Sequence, residues 1–397
     1  MIQTKNSLVQ KIQITLLIIF ILRLGTFIPV PHVDQRYLNN NLNSSLLFQI
    51  LNNTDNPRLG VFSLGIIPYI NASIVIQLLT GIIPKFEKLQ KEEGENGRKQ
   101  LKQYTRILTL IFALQQSISI ALSTRATIFN WNLEICGDII LALTTGTMLV
   151  LWLSERISEQ GIGNGPSIVI ATSIISSLPT QLDTLTNFAI KNVIQMLAFI
   201  VLISGIVFVQ EAIRRIPLIS AKQLFSQQTD TRLNRTYLPL RINQGGVMPI
   251  IFASAVISFL ASGSRYLNQI TFFNNLNHEL LITLFTICKF GLILGFTFFY
   301  STLILNPKEM AKDLNKMAVT IPQVRPGIQT EQFLSQTLKR LGTLGALFLA
   351  LLVSIPNFRT TSSIGITSFL ILVSVIVETD RQILTLLINK TYDNSID

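Results

Sequence analysis

Charge, cysteine and histidine are scarce in this chain of 397 residues. Only 13% of its residues are charged, where a soluble domain carries roughly 25%, and 49% are hydrophobic. So little charge cannot solvate a globule of this length, which excludes an ordinary soluble enzyme. The two cysteines, Cys136 and Cys288, stand in different apolar blocks. They support neither a disulfide framework nor a metal site. The two histidines, His32 and His278, are just as isolated, with no Ser, Cys and carboxylate constellation at a recognisable spacing. A Walker loop, a metal-ligand pair and a nucleophile elbow are all missing. The chain reads as a protein with no catalytic machinery and no cofactor.

What is present is hydrophobic sequence gathered into blocks. Leu59–Pro84 is a run of 26 residues without a charge, and Gly161–Leu182 and Asn192–Gln210 are further uncharged runs. About 20 helical residues cross a hydrocarbon core, so the pattern predicts an all-α polytopic membrane protein. Ten blocks can be drawn, at roughly 12–30, 61–84, 106–122, 137–154, 166–181, 192–210, 246–262, 280–305, 341–356 and 364–379. The first runs into Arg23-Leu-Gly-Thr-Phe-Ile-Pro29, which lacks the small-residue cut site of a cleavable signal. It is expected to be a retained span, with no transit peptide before it. An even count puts both termini on one side. On that layout 24 of the 32 Lys and Arg residues share the side of the termini, 6 lie opposite, and Arg23 and Lys289 fall within spans. The positive-inside rule makes the basic side cytoplasmic, or its organellar equivalent.

The loops are unequal. Segments near 211–245 and 306–340 are long, basic and mixed in polarity, and loops of that length are usually functional or disordered. On the other side only 32–60 is long; it is Asn-rich and carries Asp55, Pro57 and Arg58. The spans hold no carboxylate away from their ends, since Asp138 and Glu378 lie at boundaries. That argues against an ion-coupled carrier, which needs midplane carboxylates or broken helices that bind ions. Lys289 is expected to snorkel or to face water, and Arg23 to anchor at an interface. Within Pro68–Gln77, Ile70 and Ile74 lie one turn apart on one face, and Ile170 and Ile174 repeat the pair. Gly65 and Pro68 should interrupt the helix there. From periodicity alone lipid is the simpler neighbour for these isoleucines, and composition cannot separate pore from lipid.

Six strings of residues, in order, carry a resemblance. They are Arg23-Leu-Gly-Thr-Phe-Ile-Pro-Val-Pro31, Phe62–Thr80, and Gly94-Glu-Asn-Gly-Arg-Lys with Gln103-Tyr-Thr-Arg106. Then come Gly146–Glu155 with Gly161-Ile-Gly-Asn-Gly165, Leu238–Ser254, and Asn306-Pro-Lys-Glu-Met-Ala with Ile321-Pro-Gln-Val-Arg-Pro-Gly327. From about residue 8 to residue 390 the chain resembles the SecY family, the channel subunits of Sec protein translocases. The resemblance implies ten transmembrane helices in two pseudo-symmetric five-helix halves around a central pore, about 1–190 and 191–397. It implies a hydrophobic pore ring at Ile70, Ile74, Ile170, Ile174, Ile251 and Ile371. A ring of branched apolar side chains excludes water and ions by dewetting and reads no sequence. A plug is implied at about 45–66, although its Asn-Thr-Asp-Asn-Pro57 string departs from the usual small-residue plug. The second and seventh spans resemble the sides of a lateral gate, with Ser73, Gln77 and Phe252 on them, through which apolar segments pass into membrane lipid.

The two basic loops match the docking surface. Arg325, in Val-Arg-Pro-Gly, matches the position associated with activating a bound motor; Arg214, Arg215, Arg232 and Arg235 lie on the other loop. Arginine suits bidentate pairing with carboxylates or with phosphates of ribosomal RNA. Implied partners are a SecE-type small membrane subunit, a SecA-type ATPase, a ribosome, a SecG-type subunit and unfolded preproteins. The chain holds no ATP site, so hydrolysis must come from a partner. Heavy use of Asn, Ile and Leu with little Ala looks like AT-rich coding, which suggests a plastid-encoded thylakoid protein with stromal termini, or alternatively a bacterial plasma-membrane one. Two other function classes remain: an ion-coupled solute transporter, and a non-conducting scaffold that docks a motor or ribosome.

Overall fold

The computed structural model describes residues 8–33, 59–91, 94–127, 131–182, 190–220, 237–243, 278–304, 306–354 and 366–396, with scattered positions between 245 and 256. It is mostly helical. The helices are α1 (Leu8–Phe27), α2 (Ile67–Ile82), α3 (Pro84–Lys91), α4 (Gly94–Ser123), α5 (Leu133–Gln160), α6 (Gly165–Leu182), α7 (Ile190–Glu211), α8 (His278–Ile304), α9 (Pro307–Lys316), α10 (Ile328–Ser354) and α11 (Ile366–Ile396). Four short strands add a β component that an all-α reading omits: β1 (Ile213–Pro217), β2 (Ile219–Ser220), β3 (Tyr237–Arg241) and β4 (Val319–Thr320).

Among the described residues three helical stretches are long and apolar enough to cross a membrane: Leu8–Phe27, Gly94–Leu122 and Leu133–Gln160. Ile67–Ile82, Gly165–Ser176, Ile200–Glu211 and Phe290–Ser301 are shorter apolar helical stretches. The block expected at 246–262 falls largely outside the described residues. Their surface is that of a membrane protein. Helix α1 buries Thr15, Ile18, Leu22 and Gly25 while Leu16, Leu17, Phe20 and Leu24 are exposed. Large apolar side chains left outward, with Thr15 and Gly25 among those turned inward, suit a lipid solvent. Arg23 is exposed too, its guanidinium 5.7 Å from the Phe27 ring centroid.

Residues divide into two compact units. The first comprises 1–192, 360–364 and 375–397; the second comprises 193–359 and 365–374.

In the first unit α4 packs against α2 and α5, and α1 against α5. The described ends of the chain between α1 and α2, residues 28–33 and 59–66, are tied to each other and are not helical. Val30 N–H donates to Leu59 O (3.2 Å) and Val61 N–H to Ile28 O (2.9 Å), forming a bridge between Pro29 and Gly60. Two expectations are corrected here. The first helix stops at Phe27, and 61–66 is turn rather than the start of a span. The reason is local: Gly65 takes φ +55 and Pro68 lies in the first turn of α2, where its missing N–H is not needed. Proline therefore opens this helix instead of interrupting it. The turn fits because two helices present glycine to it. A Cβ on Gly25 would strike the Phe62 ring, and one on Gly146 the Val61 carbonyl oxygen. Beneath it Leu59, Leu64, Val30, Ile120, Ile139 and Leu143 form a buried cluster.

In the second unit α8 packs against α10, and the two segments expected to be loops are folded together. Strand β1 pairs antiparallel with β3 from Ile213↔Arg241 to Pro217↔Tyr237, and β2 pairs with β4 through Ile219↔Thr320. Ile242 N–H donates to Ala212 O (3.1 Å) at the end of the β1–β3 ladder. Alternation from that bond puts Pro239, opposite Arg215, where the ladder asks for no amide. Asn306-Pro is a helix start: Asn306 Oδ1 accepts from Lys308 N–H (3.2 Å) and Pro307 opens α9. One face of all these elements converges on Ile216, Leu218, Leu240, Ala311, Leu314, Ile321, Leu334 and Leu338. This module has its own core.

Candidate functional site

Helix α2 carries four of the expected site residues. Ile74 is buried at 6% exposure and Ile70 half-buried one turn before it. Ser73 is half-buried and its hydroxyl donates to Ile70 O at 2.9 Å, so it is satisfied within its own helix. Gln77 is half-buried, with a buried Oε1 that accepts no bond. Neither α2 nor α6 contains an ionisable carboxylate, lysine or arginine. Helix α6 repeats the arrangement, with Ile174 at 4% exposure and Ile170 half-buried.

The glycine string before α6 is a joint. Gly163, at φ +87, lies where only glycine turns without strain, and its N–H donates to Gln382 Oε1 of α11 at 2.8 Å. Gly165 N–H donates to Ser158 Oγ at 2.9 Å. Two residues quoted only as parts of separate strings meet in an ion pair. Arg106 of α4 donates from Nε and Nη2 to the two carboxylate oxygens of Glu155 on α5, at 2.9 and 2.7 Å. The sequence places both residues, and no local signal announces that they meet.

Phe252 is 1% exposed, edge-on to Phe296 and Tyr300 with ring centroids 6.0 and 5.5 Å away. Ile371 is half-buried on α11. Ile251, Arg232, Arg235 and residues 34–58, which hold most of the expected plug, lie outside the described residues. The four isoleucines of α2 and α6 belong to the first unit; Phe252 and Ile371 belong to the second.

The described residues among those expected to dock a partner are all in the second unit. Arg214 and Arg215 are exposed on β1 and Arg325 is exposed in the turn between β4 and α10. That turn is set by Gln323 at φ 64 and Gly327 at φ 103, and Thr330 Oγ1 donates to the Arg325 carbonyl at 2.9 Å. Sequence reading passed over Tyr237 and Arg241 of β3, though the alternation of Tyr-Leu-Pro-Leu-Arg is the signal of a half-buried strand. The Arg215 guanidinium lies 5.1 Å from the Tyr237 ring centroid.

The chemistry these units offer is narrow. Every buried polar side chain among the described residues is a hydroxyl or an amide; none is ionisable. Most of the hydroxyls bond back to their own helix, as Thr109 does to Thr105 O at 2.7 Å and Thr297 to Ile293 O at 2.6 Å. Such groups carry no charge at neutral pH. They leave aliphatic surface as the working material of α2 and α6.

Comparison with known proteins agrees along the whole chain. The SecY family profile matches residues 60–379. The protein translocase subunit SecY of Guillardia theta is 45% identical, covering 99% of this chain and 98% of its own length. That of Porphyra purpurea is 42% identical over 98% of both chains, and that of Synechocystis 39% identical over 97% and 93%. Among solved structures, one described as a protein-conducting channel superposes with a TM-score of 0.69 at 16% identity, covering 97% of this chain and 94% of the other. Sec61 in the canine ribosome–channel complex of the endoplasmic reticulum gives 0.67 at 16% identity with the same coverage.

Proposed function

The chain belongs to the SecY family, and from that membership and its own residues we infer that it is the protein-conducting channel of a Sec translocase. It is a multi-pass integral membrane protein that passes unfolded polypeptides and releases apolar segments into lipid. Its ten apolar blocks act as ten spans in two halves, 1–190 and 191–397, around one pore. Ile70, Ile74, Ile170 and Ile174, with Ile251 and Ile371, line its constriction. Ser73, Gln77 and Phe252 lie along the lateral gate, and 45–66 contains the plug.

The observation that carries this reading is the repeated isoleucine pair on two helices without a carboxylate, lysine or arginine. A constriction built this way makes no directional bond and so accepts any sequence. A carrier coupled to ions would need the buried carboxylates that the described residues lack. Apolar segments leave sideways because Leu or Ile favours lipid by a few tenths of a kcal/mol per residue, and charge opposes it by about 3.

The channel works with a SecE-type subunit, a SecG-type subunit, a ribosome and a SecA-type ATPase. Arg214, Arg215, Arg232, Arg235 and Arg325 face the docked motor or ribosome. Both termini are on the stromal side of a thylakoid membrane, or alternatively the cytoplasmic side of a bacterial plasma membrane, a reading supported by AT-rich coding and the charge asymmetry.

The test is site-specific crosslinking in native membranes, with a photoreactive residue at Ile74, a stalled secretory chain and the motor. The expected result is a crosslink to the secretory chain that requires its signal sequence. Labelling of lipid alone, with the motor bound, would remove Ile74 from the conduit and reopen the scaffold reading.

A further inference from the structure

The turn that opens α6 is held from two sides. On one side Gly165 N–H donates to Ser158 Oγ of α5 at 2.9 Å, and that hydroxyl donates in turn to Ser154 O at 3.3 Å. A Cβ on Gly165 would strike the Ser154 carbonyl oxygen, so the start of α6 meets α5 backbone to backbone. On the other side the tie is remote in sequence. Gly163 N–H donates to Oε1 of the half-buried Gln382, 219 residues away on α11, at 2.8 Å. A Cβ on Gly163 would press against Thr379, one turn before Gln382, and against Ile168 of α6. This part of α11 belongs to the first unit, as α6 does.

We propose that Gln382 is a positioning residue for the pore constriction: by holding Gly163, it fixes the axial position of α6 against α11 and keeps Ile174 at the depth of Ile371. The proposal rests on the reading above that both isoleucines line the constriction. Its support is a matched count along two helices. From the clasp α6 departs and α11 arrives, so the two run in opposite senses. Ile174 stands about three turns after Gly163, and Ile371 about three turns before Gln382. Equal lengths measured from one clasp bring the two side chains level. A seal that works by dewetting needs its apolar side chains in one layer, and a slip of a single turn displaces a side chain by about 5.4 Å. A bond that served stability alone would need no such match.

The experiment measures resting ion conductance in proteoliposomes that hold the full chain with its small subunit. Gln382→Met keeps the length of the side chain and removes the acceptor. It should raise the leak about fivefold, the population shift expected when one hydrogen bond is lost, and should admit preproteins with weakened signal sequences. Gln382→Glu keeps an acceptor at the same reach and should seal like the wild type. Gly163→Ala, strained at φ +87 and crowded by Thr379, should leak as Gln382→Met does. Thr109→Val deletes a buried bond within α4 and should lower the melting temperature without a leak. A Gln382→Met channel that melts earlier yet stays sealed would overturn the proposal, since the bond would then serve stability alone. So would a Gln382→Glu channel as leaky as Gln382→Met, because the acceptor would not be what matters. In either case a signal-dependent crosslink from position 74 to the secretory chain leaves the channel reading intact. That reading falls on a different result, the loss of this crosslink in the otherwise unaltered chain.

Discussion

Helices of the first unit satisfy their buried hydroxyls at home: Thr105 bonds to Leu101 O, Ser117 to Ala113 O and Thr147 to Leu143 O. In the basic module of the second unit the partners are far away in the chain, as β2 and β4 pair across about a hundred residues. The first arrangement is the only kind that lipid permits, since no water is there to complete a backbone that strays from the helix. The second belongs to water. Open-edged strands, a capped helix and a core faced by alternating residues are the devices of a soluble domain, here inserted between apolar spans. One chain is thus held by two sets of rules, and each region should fail in its own way.

Loss of module packing should have the largest effect. Leu334 is fully buried in the module core, and Leu334→Ala should cost about 2–5 kcal/mol there. Hydrogen exchange should rise across 307–341 while the amides of α4 and α5 keep their protection. An equal rise in both regions would show that the module does not fold on its own terms. The reverse experiment is Gly146→Ala, where a methyl group meets the Val61 carbonyl. Overpacking costs about 1–3 kcal/mol, and thermal unfolding in detergent should shift with the module amides unchanged.

Ile174→Asn tests function more than stability. An amide at this buried position invites water, so proteoliposomes carrying the variant should leak ions and accept substrates with weaker signal sequences. Unchanged conductance would take Ile174 out of the seal. The smallest effect is expected at Arg106→Lys. The forked pair with Glu155 becomes a single contact, but Arg106 is 48% exposed on its side chain. Solvent screening holds the loss below about 1 kcal/mol, measurable as a small drop in melting temperature that added salt reduces further.

Much of the helical layout was legible in sequence because its signals are local: apolar runs, Asn306-Pro before α9, glycine strings at turns. The module was not. Its segments looked like basic loops since strand pairing across such a separation leaves only a short alternation, five residues in β1 and five in β3. The glycines of Arg23-Leu-Gly25 and Gly146-Thr-Met could be seen, but not that both make room for residues 61 and 62. For the site, the isoleucine pairs and the Arg325 turn were visible. The unlike surroundings of Arg214 and Arg215 were not, because facing is decided by register, and register by a bond at Ala212.

The bridge at Pro29 and Gly60 has a consequence for the 28 residues between Val30 and Leu59. The hydrogen bonds of Val30 and Val61 fasten the two ends of this stretch at one point and so close a loop in the chain. Closure also makes length cheap: doubling such a loop adds only about 0.6 kcal/mol of entropy cost. A change of length between the fastened ends therefore carries little entropic cost for the two helices beside it.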